Sequence, residues 1–167
     1  NAITNELIAV YGFNHAQNRK QFDEASEYFH NPAQNIVYAD KWGNIAIRPT
    51  GKVPIRSGNG EFPYNGSKGE GKWTSYIPFN RLPASMNPDQ HYLASANQVS
   101  VGAQYGYFLQ NDYSSGYRAR RINELLANAE LGTVGMEKMK EIQRDVTSSA
   151  AKSFTPYLIR ALERMPE

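Results

Sequence analysis

The sequence predicts an α+β fold in which helices flank part of an antiparallel sheet. Apolar residues recur at helical spacing near both ends of the chain, whereas the middle carries β-rich alternating runs. After these runs, the stretch from Thr50 to Pro88 is rich in Gly, Pro, Asn and Ser yet holds Tyr64, Trp73, Tyr76 and Phe79. It is too aromatic for a free linker and reads as an ordered loop region wrapping other structure. The expected organisation is one segment over residues 1–167: helical over 3–30, strands and long loop over 35–97, helical again over 117–165.

Thr4, Leu7, Ile8 and Tyr11 share one face of a first helix; Phe22, Ala25 and Phe29 share a face of a second, ended by Pro32. Asn35–Asp40 and Ile45–Arg48 flank the turn Lys41–Asn44 in the pattern of a hairpin. Ser57-Gly58-Asn59-Gly60 and Asn65-Gly66-Ser67 are turns, and His91–Ala96 reads as a short strand ending at Asn97-Gln98. In the last third Ile122, Leu125, Leu126 and Ala129 follow the helical period, and Met136, Met139 and Val146 suggest a further helix. Ala150, Phe154, Tyr157, Leu158, Ala161 and Met165 form a final stripe, with Pro156 near that helix's start or kinking it. A sheet of about three strands covers few helical faces, so some strands are expected to belong to a sheet completed elsewhere.

Composition narrows the function. The net charge is +2 with acids and bases interspersed, which argues against nucleic acid or an anionic membrane as partner. Cysteine is absent, so neither disulfides nor thiolate metal sites can form. No apolar run reaches the length of a membrane span. The chain opens Asn1-Ala2 without an initiator Met, which suggests processing or trimming of a longer product. Phosphate-cradling Gly loops, H-E-x-x-H, EF-hand loops and G-x-S-x-G elbows are all missing. His15, His30 and His91 lack ligand spacing, and Asp40–Asn44 reads as a hairpin turn, so neither metal nor cofactor is expected.

Two places hold polar residues suited to chemistry. Arg118, Arg120 and Arg121 open a helix, with Arg118 and Arg121 on one face. One reading is a solvated helix start with Arg120 paired to Glu124. An arginine there opposes the helix dipole, however, and calls for a buried carboxylate or a substrate. Asn97 at the strand end is either a turn former or a neutral donor to an oxyanion.

The stretch Asn35–Lys52, reading NIVYADKWGNIAIRPTGK, resembles the strand–turn–strand segment of the penicillin acylase (penicillin amidase) family. The order of the blocks downstream is similar too: Val53–Arg56, a Gly-rich loop, Trp73–Phe79 (WTSYIPF), Leu82-Pro83, Asn87-Pro88, Leu93–Gln98 (LASANQ), Tyr117–Ile122 and Ile142–Val146. The likeness runs from Phe22 to the C-terminus. It implies a portion of the N-terminal nucleophile hydrolase fold, an αββα sandwich, and hydrolysis of linear amide C–N bonds to a carboxylic acid and an amine. Members of that family mature by cutting a precursor into α and β chains. The new N-terminal Ser of the β chain attacks the amide, with its own α-amino group as base. The resemblance thus makes this chain a β-chain segment whose partners are the rest of the β chain, the α chain and a small N-acyl amide.

Asn97 matches the family's oxyanion-hole asparagine, and Arg118 matches the arginine that orients the nucleophile's surroundings. The nucleophilic Ser has no match, since residue 1 is Asn, so the chain by itself is expected to be inactive. The family's calcium ligands lie mainly upstream, and Val99–Gln110 carries no acid, so no metal is expected here. The resemblance also implies an extracytoplasmic location. Acylases for cephalosporin side chains or acyl-homoserine lactones are alternatives. A non-catalytic binding or assembly module using Tyr64–Phe79 is another. Apolar faces normally covered by the rest of the enzyme are expected to drive self-association.

Overall fold

The structure, a computed structural model, describes residues 5–130 and 132–165. Thr4, assigned above to the first helix, and the opening Asn1-Ala2 lie outside the described residues. The chain divides into two compact units. One runs to Leu93 and includes Ser100–Asp112; the other comprises Ala94–Val99 and the chain from Tyr113 onward.

In the first unit, α1 (Glu6–His15) meets α2 (Arg19–Ser26) through Gly12. A Cβ at Gly12 would lie 2.6 Å from the Cβ of Ala25, so only glycine allows this approach. The Asn18 side chain caps α2 by accepting from the Gln21 N–H, while Gln21 Oε1 accepts from the Gln17 N–H, a reciprocal arrangement like a capping box. Phe22 stands 4.8 Å from Phe13 and 5.1 Å from Tyr38, which ties both helices to the sheet.

Strands β1 (Asn35–Ala39) and β2 (Ile45–Pro49) form the expected hairpin, with Asn35 opposite Pro49 and Ala39 opposite Ile45. One carboxylate organises its turn. Asp40 accepts from the N–H groups of Trp42 and Asn44, from Asn44 Nδ2 and from the Tyr38 hydroxyl, all at 2.9–3.0 Å. Desolvation alone would raise its pKa, but hydrogen bonds from Asn44, Tyr38 and Trp42 hold it below the usual carboxylate value.

The segment after Thr50 is more regular than its composition predicts. It contains β3 (Pro54–Arg56) and β4 (Trp73–Tyr76), which pair antiparallel as a separate sheet. It also contains β5 (Ser85–Met86), which pairs with β2 to give the order β1-β2-β5. These runs are β-prone but short, and the surrounding Gly and Pro hide them from pattern reading. The loop joining β3 to β4 folds around Tyr64, whose hydroxyl accepts from the N–H groups of Asn59 and Gly60. The strand expected at His91–Ala96 is not formed among the described residues. Side chains occupy its backbone groups instead: Ala96 N–H donates to Gln98 Oε1, and Gln98 Nε2 donates to Ala94 O.

The second unit holds α3 (Tyr117–Ala127), α4 (Met136–Gln143) and α5 (Ser149–Leu162). Val146 and Met165 fall outside the helices expected to contain them, because α4 ends at Gln143 and α5 at Leu162. Pro156 lies inside α5 rather than near its start. The turn between α4 and α5 is built on Asp145, which accepts from the Thr147 N–H and grips Arg121 of α3 through a two-toothed pair at 3.0 and 2.7 Å. Arg121 also reaches Glu124 at 3.0 Å, so Arg121 rather than Arg120 makes the helix ion pair. Two carboxylates converge on Arg121, while Arg120 lies over the Tyr117 ring at 5.6 Å. The hydrogen bond from Arg121 is the main cause that lowers the Asp145 pKa to about 2.

Little apolar volume is buried. Among the described residues, the buried apolar ones are Ala9, Ala25, Ala46, Ile77, Leu82, Ala96 and Ala119, mostly alanines. Leu7 and Tyr11 of α1 and Phe154, Tyr157, Leu158 and Leu162 of α5 are more than half exposed.

The tight helix crossing and the half-buried ion pair can each be checked. Gly12→Ala should destabilise the first unit by roughly 1–2 kcal/mol in urea titration, despite a gain in helix propensity. A more stable variant would contradict the close α1–α2 approach. The native Asp145 pKa lies below the unfolded value near ~3.9. The contribution of the Arg121–Asp145 pair is therefore complete above about pH 4 and lost as pH falls toward 2. An NMR titration should give the Asp145 carboxyl a midpoint near 2, and a midpoint at the ordinary aspartate value would show that the pair does not form.

Candidate functional site

Asn97 and Arg118, far apart in sequence, meet in the second unit. Arg118 comes from the first turn of α3, which begins after Gly116 in the left-handed conformation at φ 78°. Its Nη2 donates to Ala96 O at 3.0 Å and to Asn97 Oδ1 at 2.8 Å. The main-chain carbonyl of Asn97 accepts from the Ser114 N–H at 2.8 Å. Asn97 itself is left-handed, with φ 61°, a conformation that asparagine tolerates better than most residues.

This contact fixes the Asn97 amide. A guanidinium has only donors, so the atom facing Arg118 must be the carbonyl oxygen. The amide nitrogen is left as a donor, and it donates to no group among the described residues. Asn97 is exposed, so this N–H₂ is accessible.

The two arginines on this face of α3 differ electrically. Arg121 is neutralised by Asp145 and Glu124. Arg118 makes no ion pair among the described residues; both its acceptors are neutral oxygens. The dipole argument for a carboxylate partner is thus answered by Arg121, and Arg118 keeps an uncompensated positive charge beside a free N–H donor. That combination suits a site where negative charge develops on an oxygen.

Gln98, which holds both Ala94 and Ala96, is not a candidate on sequence grounds; the Asn97-Gln98 pair of amides at a predicted strand end is the available signal. His15 stacks on Tyr11 at 3.9 Å. Among the described residues, no group of three His, Cys, Asp or Glu is placed to hold a metal. No helix among them is long and apolar enough to cross a membrane.

Comparison with known proteins gives this geometry a family. The penicillin amidase family pattern matches residues 2–167. The acyl-homoserine lactone acylase QuiP of Pseudomonas syringae pv. tomato is 30% identical over 171 residues, covering 96% of this chain and 20% of the relative. QuiP of Pseudomonas fluorescens strain Pf-5 is 32% identical over 125 residues, covering 74% of this chain and 15% of the relative. Penicillin acylase 2 proenzyme of Pseudomonas sp. strain SE83 is 33% identical over 93 residues, covering 55% and 12%. The chain therefore spans no more than about a fifth of the length of these curated relatives. Among solved structures, the thermostable penicillin G acylase from Alcaligenes faecalis superposes with a TM-score of 0.74 at 22% identity, over 97% of this chain and 29% of that one. The α+β arrangement described above is a portion of that N-terminal nucleophile hydrolase fold, and the chain belongs to the penicillin amidase family of acylases.

Proposed function

We propose that this chain is a β-chain segment of a larger acylase that hydrolyses N-acyl amides, and that Asn97 supplies an oxyanion donor oriented by Arg118. The observation that carries this reading is the Arg118–Asn97 contact, which leaves the amide N–H₂ free beside an uncompensated charge. The exposed apolar faces of α1 and α5 support a segment whose partners are the remainder of the β chain and the α chain.

The reaction then runs in two steps. The N-terminal Ser of the larger enzyme attacks the amide carbon through its hydroxyl oxygen, and its proton passes to its own α-amino group. The carbonyl electron pair moves onto oxygen, where Asn97 donates a hydrogen bond. On collapse the C–N bond breaks, the amine leaves with the proton, and an ester to the Ser remains. Water attacks that ester in the same way, giving the carboxylic acid and restoring the Ser. The positive field of Arg118 favours the oxyanion in both steps.

A relative named an acyl-homoserine lactone acylase covers 96% of this chain and a solved penicillin G acylase covers 97%. An acyl-homoserine lactone and a penicillin are therefore both candidate substrates. Comparing kcat/KM of the full enzyme on the two compounds separates them.

Asn97→Ala in the full acylase should lower kcat about 10²–10³-fold, with a stability loss of only about 1–2 kcal/mol from the left-handed backbone. An unchanged kcat would remove Asn97 from the site and favour the binding-module alternative. The chain of 167 residues by itself should hydrolyse no amide. Turnover by the pure chain that disappears on a single substitution within it would refute the segment reading.

A further inference from the structure

We infer that Gln98 is a positioning residue for the oxyanion donor, acting through the backbone of the turn that presents Asn97. This inference rests on the proposed role of Asn97. Residues 94–98 lie outside the strands, yet they must hold Asn97 at φ 61°. A left-handed asparagine is tolerated but not strongly preferred, so the turn needs external fixing.

The fixing comes from two sides. Ser114 N–H, just before α3, and Arg118, in its first turn, bind the carbonyl groups of Asn97 and Ala96 respectively. Gln98 closes the opposite side with one amide group used in both senses. Its Oε1 accepts from the Ala96 N–H at 2.6 Å, and its Nε2 donates to Ala94 O at 3.2 Å.

Ala96 is the shared element. It is 5% exposed, so its N–H cannot readily turn to water if Gln98 is lost. Its N–H is held by Gln98 and its C=O by Arg118, and both groups flank one Cα. Releasing the N–H lets the residue rotate. The carbonyl then moves with Arg118, and Arg118 is what sets the Asn97 amide. Gln98 thus controls the direction of the donor without touching substrate. The role requires an acceptor and a donor on one short side chain. Glutamine provides both, glutamate only the acceptor, and methionine neither.

The test uses the full acylase and three variants measured together. Gln98→Met should lower kcat about tenfold with KM within about twofold, and Gln98→Glu should recover part of the loss. Hydrogen exchange at the Ala96 amide should accelerate in Gln98→Met while the amides of α3 keep their protection. Asn97→Ala separates the two ideas. If it lowers kcat and Gln98→Met does not, the Gln98 inference alone is overturned. If Asn97→Ala leaves kcat unchanged, the oxyanion reading fails and takes this role with it. A loss in Gln98→Met that comes with lost α3 protection and no recovery in Gln98→Glu marks general unfolding and also overturns the inference.

Discussion

The guanidinium of Arg118 is the contact on which the candidate site depends. It bridges the main-chain oxygen of Ala96 and the side-chain oxygen of Asn97, so one group sets both the turn and the amide it carries. Its position in the first turn of α3 is unfavourable for a cation. Two neutral oxygens offset that cost through hydrogen bonds without cancelling the charge. The neighbouring Arg121 shows the other outcome, where a two-toothed pair with Asp145 uses the charge to hold α3 to the turn before α5. Position on the helix therefore separates a structural arginine from one that can answer an anion.

Elsewhere, polar junctions take over work that large buried side chains usually do. Asp40 collects four donors at the tip of the hairpin. Arg48 lies 3.8 Å over the ring of Phe79, donates to its carbonyl at 3.0 Å and stands 3.3 Å from Asp23. Asn87, left-handed at φ 45°, accepts from the Ile45 N–H and donates to Asn44, which joins β5 to the hairpin. Such junctions specify geometry well because each donor must meet its acceptor. They remove little apolar surface from water, and the leucines and aromatics of α1 and α5 remain exposed.

The legibility of each element in the sequence depends on the range of its signal. The hairpin is readable because the β-rich runs Asn35–Asp40 and Ile45–Arg48 flank a Gly- and Asn-bearing turn, a purely local pattern. The helices were readable from period, although their ends were not: Val146 continues the stripe of α4, but Asp145 and Thr147 have already turned the chain. β3, β4 and β5 were missed because a pair of short strands is defined by its partner, which the sequence does not announce. His91–Ala96 failed in the opposite sense, since local β preference needs a neighbouring strand and the side chain of Gln98 occupies those groups instead. The resemblance placed Asn97 and Arg118 as candidates. Their contact, the orientation of the amide and the charge contrast with Arg121 required coordinates.

The exposure of Asn97 and the exposure of the apolar helix faces have one physical explanation under the proposed function. A hydrogen bond to an oxyanion contributes little in water, because solvent donates equally well to the same oxygen. It becomes catalytic when water is excluded and the donor is already aligned. In the proposed roles, alignment comes from Arg118 and Gln98 within this chain. Exclusion of water is not, because Asn97 lies at the surface of its unit. A covering chain that buries the stripes of α1 and α5 would remove apolar surface from water and strengthen association with each half. If it also covers the 94–98 turn, the same association that stabilises the fold lowers the dielectric around a donor already pointed. Under the proposed function, catalytic competence would then depend on assembly, with the segment contributing direction and its partners dryness.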